Sequence, residues 1–144
     1  MTKHFWYLKI FLALTGIVFL FILICTARAE GIDYSKIAWL ESRGNPMAYN
    51  KVSRARGLFQ ITPICLFDYN KENRTHYTLE NLFDPTINRR IAEWYFEKRI
   101  PQFLKTYGKE DTIENRLICF HAGIKRLIEN KIPKSTREYI KEYF

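Results

Sequence analysis

What most limits the folds open to this chain lies near its start. Ile10-Phe-Leu-Ala-Leu-Thr-Gly-Ile-Val-Phe-Leu-Phe-Ile-Leu-Ile24 is an uncharged apolar run of fifteen residues behind Lys3, His4 and Lys9. It does not belong to the core of a water-soluble domain. Small residues then alternate in Cys25-Thr-Ala27-Arg-Ala29, the Ala-x-Ala pattern of a signal-peptidase site. Cleavage after Ala29 is the first reading. An uncleaved membrane anchor is the second, because fifteen residues fall short of the ~20 a spanning helix needs, and adding Phe5-Trp-Tyr-Leu8 would make up the length. Lipidation of Cys25 is a distant third, since bulky Ile24 stands where a small residue is expected. All three place the rest of the chain outside the cytoplasm. The expected division is therefore 1–29 as signal peptide or anchor and 30–144 as one folded domain. Its expected location is exported, periplasmic or cell-envelope, tethered to the inner membrane only if the N-terminal segment is retained.

The remainder suits one small domain. The whole chain is 47% apolar and 16% aromatic, ample for a core and unlike a disordered tail. Of 23 basic and 15 acidic residues, only Lys3, Lys9 and Arg28 lie in 1–29, which leaves a net charge of +5 beyond it. That balance suits an anionic polymer or surface. It does not suit nucleic acid, because no basic run is interleaved with aromatics. Cys65 and Cys119 permit one disulfide, worth about 2–4 kcal/mol. Both also sit in apolar helical stretches where a buried thiol is an ordinary packing residue, so both readings stay open. Neither cysteine has metal-ligand spacing, and His4, His76 and His121 form no cluster with them. No metal and no cofactor are expected.

The pattern beyond residue 30 is mostly α. Asp33 can cap a helix carrying Ile37, Ala38 and Leu40 up to Glu41 and Ser42, which Gly44-Asn45-Pro46 ends. Residues 44–61 read as irregular, with at most a short hairpin. Thr62-Pro63 and Asp84-Pro85 are each a cap followed by proline at the first helical position. Residues 70–82 read as a loop. The helix from Pro85 carries Ile87, Ile91, Trp94, Tyr95 and Ile100 at near-helical period, and Pro101 must kink or end it, with a further turn or two to Tyr107-Gly108. Asp111 or Thr112 starts the next helix and Gly123 stops it. Ser135-Thr-Arg-Glu138 is a capping-box pattern for a last helix through Tyr139, Ile140 and Tyr143.

Among the polar residues, Glu41 is the best placed for acid–base chemistry. A helix C-terminus disfavours negative charge, which raises a carboxyl pKa. If the 44–61 loop packs over it with Leu58, Phe59 and Ile61, desolvation raises it further. A carboxyl protonated near neutral pH can give its proton to a leaving oxygen.

Five blocks then carry a family resemblance. Glu41-Ser42-x-x-Asn45-Pro46 and Ser53-x-Ala55-x-Gly57-Leu58-Phe59-Gln60-Ile61-x-Pro63 resemble the first two signature blocks of the lytic transglycosylases. Leu82-Phe83-Asp84-Pro85-x-x-Asn88 is similar to the block that opens that family's long helix. Phe120-His121-Ala122-Gly123 stands in the place of its Tyr-Asn-Ala-Gly, and Pro133-x-x-Thr136-Arg137-x-Tyr139 matches its closing block. The resemblance implies a small, single-domain, mostly α fold of the soluble-lytic-transglycosylase, goose-lysozyme-like kind. It implies peptidoglycan glycan strands as substrate, with Glu41 as the single catalytic acid. That carboxyl would protonate the oxygen between N-acetylmuramic acid and N-acetylglucosamine. It would then act as base on the muramic acid C6 hydroxyl, closing a 1,6-anhydro ring. Ordinary glycosidases use two carboxylates, whereas here the sugar supplies the nucleophile. Asp68 and Glu72 lie outside the matching blocks.

The resemblance also implies substrate-contacting roles for Ser42, Ser53, Leu58, Phe59, Gln60, Phe120, His121 and Tyr139. Gln60 would bond a sugar, Leu58 and Phe59 would wall the cleft, and Tyr139 would aim its hydroxyl at Glu41 or substrate. Phe120 lacks the hydroxyl of the family tyrosine. His121 can still donate or accept but also titrates near neutral pH. The small size is similar to members that open gaps in the wall for secretion or conjugation machinery, or to phage-borne ones. Two rivals fit the same residues: a goose-type muramidase that uses water, and an inactive wall-binding assembly factor.

Overall fold

A computed structural model describes residues 31–144; the apolar run, Cys25 and the Ala29 cleavage site all lie outside the described residues. Helix starts are set locally. The Asp33 side chain accepts from Lys36 N at 3.0 Å and opens α1 (Tyr34–Ser42). Thr62 accepts from Cys65 N and opens α2 (Pro63–Asn73). Asp84 accepts from the amides of Thr86 and Ile87 and opens α3 (Pro85–Trp94). Each such cap satisfies amides that no preceding turn can reach. Thr112 does the same for α5 (Ile113–Ala122), which Gly123 ends at φ 83.

Two expectations need correction and one is resolved. The segment 70–82 is only partly a loop: α2 runs to Asn73, and Glu80–Phe83 forms a 3-10 turn. Of the two outcomes open at Pro101, the helix does not end there but runs on to Thr106. A π-helical segment, Tyr95–Arg99, precedes α4 (Ile100–Thr106), and the Ile100 amide bonds the Tyr95 carbonyl five residues back. Re-registering the bonds just before the proline lets the helix continue past a residue without an N–H. The capping box fails as well. The last helix, α7 (Lys134–Tyr143), begins directly after Pro133 with no side-chain cap, and Thr136 turns inward to His121 instead.

The short α6 (Ile124–Ile128) completes the set, and no strand occurs among the described residues. Asp33–Phe144 close on one another as a single unit. α7 packs on α1 and α5, and α5 also packs on α4 and α6. The Asp33 amide donates to the Tyr143 hydroxyl at 2.8 Å, which joins the two ends of the domain. Ile37, Phe59, Leu82, Ile91, Phe96, Ile100, Leu104 and Leu117 are essentially inaccessible. Each such side chain contributes roughly 1.5–3 kcal/mol of transfer free energy. Both cysteines are free and buried, and burial holds both thiols above their ordinary range, Cys119 at about 11. They are packing residues rather than nucleophiles.

Candidate active site

Behind α1 the chain makes a tight irregular excursion over residues 44–61. Arg43 takes the left-handed conformation that ends α1. Two isolated antiparallel bridges, Tyr49 with Arg56 and Arg56 with Ile61, then fold residues 44–61 back on themselves. Asn50 N bonds the Ala55 carbonyl at 3.0 Å and Gly57 N bonds the Ala48 carbonyl at 2.9 Å.

A single buried side chain fastens this excursion to the helical body. Asn88 of α3 is fully inaccessible. Its Oδ1 accepts from Phe59 N at 2.9 Å, while Nδ2 donates to the carbonyls of Arg56 at 2.9 Å and Leu82 at 2.8 Å. Gly57 is required beside it. At φ 78, a Cβ there would lie 2.2 Å from the Leu82 carbonyl oxygen and 2.3 Å from Asn88 Nδ2. The block around Asp84-Pro85 and Asn88 was visible in the sequence, but this role was not. The available signal was Asn88's place on the stripe of Ile91, Ala92 and Tyr95, where a buried amide must find partners.

The excursion closes a cavity of about 340 Å³ at the end of α1, lined by Glu41, Asn50, Ser53, Ala55, Gln60, Ile61, Thr62, Cys65, Tyr95, Phe120 and His121. Ile61 supplies apolar cover, being 1% exposed. Glu41 is the one carboxylate among these residues. Its Oε1 is buried without a hydrogen-bond partner. Burial raises its pKa to about 7, against which the Tyr139 hydroxyl pulls it down. The Tyr139 oxygen is itself buried and interacts with Glu41, but the pair lacks good hydrogen-bond geometry, so each polar atom stays under-satisfied. Burial first, and then the Glu41 charge, push the phenol upward.

His121 lies over Tyr139, with ring centroids 4.5 Å apart. Its Nδ1 is 3.0 Å from the Thr136 hydroxyl, and partial burial lowers its pKa. Phe120 stacks on Phe96 at 4.4 Å and closes the cavity beside Tyr95. Asp68, the nearest rival carboxylate in sequence, does not line the cavity; Arg99 holds it at 3.1 Å.

Of the residues expected at the site, Glu41, Ser53, Gln60, Phe120 and His121 line the cavity. Tyr139 interacts with Glu41 but is not among the lining residues. Gln60 spends its Nε2 on the carbonyls of Gly57 at 3.0 Å and Ala48 at 3.3 Å, which orders the excursion. Three residues depart from expectation. The Ser42 hydroxyl donates to the Ala38 carbonyl one turn back. Leu58 lines a separate surface depression with Pro85, Thr86 and Arg89. Phe59 is core, 2% exposed, with its ring against Tyr34. The bridges and the left-handed residues Arg54 and Gln60 set these directions, so neighbours in sequence face opposite ways. Asn50, Thr62, Cys65 and Tyr95 line the cavity without having been picked out for the site.

The family model described as Transglycosylase SLT domain matches residues 30–142. No curated protein and no solved structure matches the chain.

Proposed function

The chain belongs to the transglycosylase SLT domain family, and from that premise we propose the reaction carried out in the Glu41 cavity. The protein is a lytic transglycosylase of SLT type acting on peptidoglycan. The bond cleaved is the β-1,4 link between N-acetylmuramic acid and N-acetylglucosamine. Protonated Glu41 gives its proton to the glycosidic oxygen, and the C1–O bond breaks with its electron pair leaving on that oxygen. The C6 hydroxyl oxygen of the muramic acid then bonds to C1, and its proton passes to the Glu41 carboxylate. The new chain end is a 1,6-anhydro ring. No water is consumed, and the acid is regenerated.

One observation carries this reading. Glu41 is the sole carboxylate among the described residues lining the cavity, and burial poises it near pH 7. A two-carboxylate mechanism needs a partner roughly 5–9.5 Å away, and Asp68 is engaged by Arg99. A carboxyl titrating near the working pH is suited to act first as acid and then as base. The under-satisfied Tyr139 hydroxyl can steady the carboxylate once the proton has left. In the His121–Thr136 contact, Nδ1 is occupied, so Nε2 is the nitrogen left for substrate. The enzyme works outside the cytoplasm, and its size and basic charge suit local opening of the wall for a secretion or conjugation apparatus.

Mass spectrometry of digested sacculi tests the reading. Wild type is expected to leave anhydro-muramic ends, and Glu41→Gln to leave none. Reducing muramic ends alone would make the protein a hydrolase. Full activity of Glu41→Gln would remove Glu41 from the chemistry, and glycan binding without turnover by wild type would leave a wall-binding factor.

A further inference from the structure

His121 lines the Glu41 cavity, and the two sides of its ring meet different surroundings. Nδ1 lies 3.0 Å from the Thr136 hydroxyl, and the ring rests on Tyr139 with centroids 4.5 Å apart. His121 is exposed at the cavity, whereas Thr136 is completely buried. Which nitrogen carries the hydrogen is therefore decided from the threonine side.

Among the described residues, the Thr136 hydroxyl meets no partner other than Nδ1. The carbonyls one turn back are already engaged. Pro133 accepts from the amides of Thr136 and Arg137, each at 3.1 Å, and Ile132 accepts from the Arg137 guanidinium at 2.9 Å. A hydroxyl has one hydrogen to give and lone pairs to receive another. If Nδ1 carried a hydrogen, the hydroxyl would accept it and leave its own hydrogen buried without an acceptor. Such a stranded donor is unfavourable, and Thr136 lies out of reach of bulk water. If Nδ1 is bare, the hydroxyl donates to it and both groups are satisfied. The ring hydrogen then sits on Nε2, across the ring from this contact. A second proton on the ring would strand the same hydroxyl hydrogen, in the same direction as the burial that lowers the His121 pKa.

We propose that Thr136 locks His121 as the Nε2–H tautomer, which makes the ring a substrate-positioning donor for an acceptor oxygen of the bound glycan. The inference rests on the proposed function for what enters the cavity. An amide in this place could turn either its oxygen or its nitrogen to a sugar. The locked imidazole presents a hydrogen only, so it holds an oxygen and offers nothing to a group that can only donate. The donor is in place before the sugar arrives and serves ground state and transition state alike. It therefore acts on KM rather than on kcat.

Nitrogen-15 NMR of the full chain reads the tautomer, at a pH where the ring is neutral. Wild type is expected to show the hydrogen on Nε2 alone, and Thr136→Val a mixture of the two tautomers. A hydrogen on Nδ1 in wild type, or an unchanged pure tautomer in the valine variant, would overturn the lock. Binding is read in the full chain carrying Glu41→Gln, without turnover, on glycan fragments of one length from digested sacculi. Adding His121→Ala should weaken binding about two- to tenfold, the contribution of one neutral hydrogen bond. His121→Gln with Thr136→Val returns a donor near the place of Nε2 and removes the hydroxyl it would strand, so affinity should recover. His121→Leu with Thr136→Val keeps the bulk without the donor and should not recover, with thermal melts showing each variant folded. Recovery by leucine, or an affinity indifferent to His121→Ala, would overturn the proposal and make the ring a plain wall. With Glu41 intact, His121→Ala should raise KM by the same factor and leave kcat within about twofold. A fall in kcat alone would put His121 on the reacting atoms and overturn the positioning role. Reducing ends from wild type, with the donor effect intact, would sink the proposed chemistry and leave this assignment. Anhydro ends with an affinity indifferent to the ring would do the reverse.

Discussion

Asn88 and Glu41 are both polar side chains taken out of water, and they are treated in opposite ways. Asn88 makes three hydrogen bonds between 2.8 and 2.9 Å, to one amide and two carbonyls on the excursion and the 3-10 turn. Glu41 keeps Oε1 buried without a partner, opposite a phenol that is also unpartnered. Burying either group is unfavourable unless its hydrogen bonds are replaced. Asn88 has them replaced and holds the wall in place. Glu41 does not, and the missing compensation appears as a carboxyl that keeps its proton to about pH 7. Rigidity sits at one position and reactivity at the other, and the first positions the cover that produces the second.

Glu41→Gln gives the largest expected effect. It keeps the shape of the protonated side chain and removes the transferable proton. Anhydro-end formation should fall about 10²–10⁴-fold, the usual contribution of a positioned acid–base, while the far-ultraviolet circular dichroism stays unchanged. Asn88→Ala should do the converse. It leaves Phe59 N and the Arg56 and Leu82 carbonyls without their partner, at roughly 1–3 kcal/mol for each group left buried and unsatisfied. A loss of about 3 kcal/mol or more in a domain of this size lowers the melting temperature by ~10 °C or more. A variant that melts within a degree or two of wild type would break the contrast, because Asn88 would then be no clamp.

The contrast also separates what the sequence displays from what it hides. The caps at Asp33, Thr62, Asp84 and Thr112 depend on an oxygen two or three residues from the amide it serves, so reading along the chain finds them. Glu41 as acid came from helix position together with the five family blocks. The side-chain directions in 44–61 did not, because they follow from bridges and from left-handed Arg54 and Gln60. That is why the family blocks point Leu58 and Phe59 to the cleft while the fold turns one to a separate depression and the other into the core. Ser135-Thr-Arg-Glu138 failed for a related reason. Thr136 has a partner fifteen residues away, and a local pattern cannot show that His121 outcompetes the helix end.

Glu41 ought also to write itself into stability. Its folded pKa, about 7, lies above its ordinary value of 4.5. Between those values the folded state holds a proton that the unfolded state has released. The stabilising contribution of Glu41 is therefore complete below about pH 4.5 and is lost as pH rises through about 7. The shift corresponds to about 3 kcal/mol at full deprotonation. Glutamine cannot ionise, so Glu41→Gln should match wild type near pH 4 and exceed it near pH 8 in urea denaturation. Parallel pH profiles for the two proteins would mean that the carboxyl is solvated, which would also undercut its role as acid.

Thr136→Val gives the smallest expected effect and tests the ground between the two extremes. Thr136 is fully buried, yet its hydroxyl has one partner, Nδ1 of an imidazole that still reaches the cavity. Valine fills the same space and removes that partner. The ring can turn to water, so the loss should be about 1 kcal/mol, less than for Asn88, whose partners are sealed in. Burial holds His121 below its ordinary pKa of 6.5, so the wild-type ring should titrate below that value by NMR. In the valine variant a loosened ring gains water, and its titration should move back up toward 6.5. An unchanged titration with an unchanged melt would mean that the hydroxyl neither anchors nor orients the imidazole. Glu41 and its phenol would then be positioned without help from that side of the cavity.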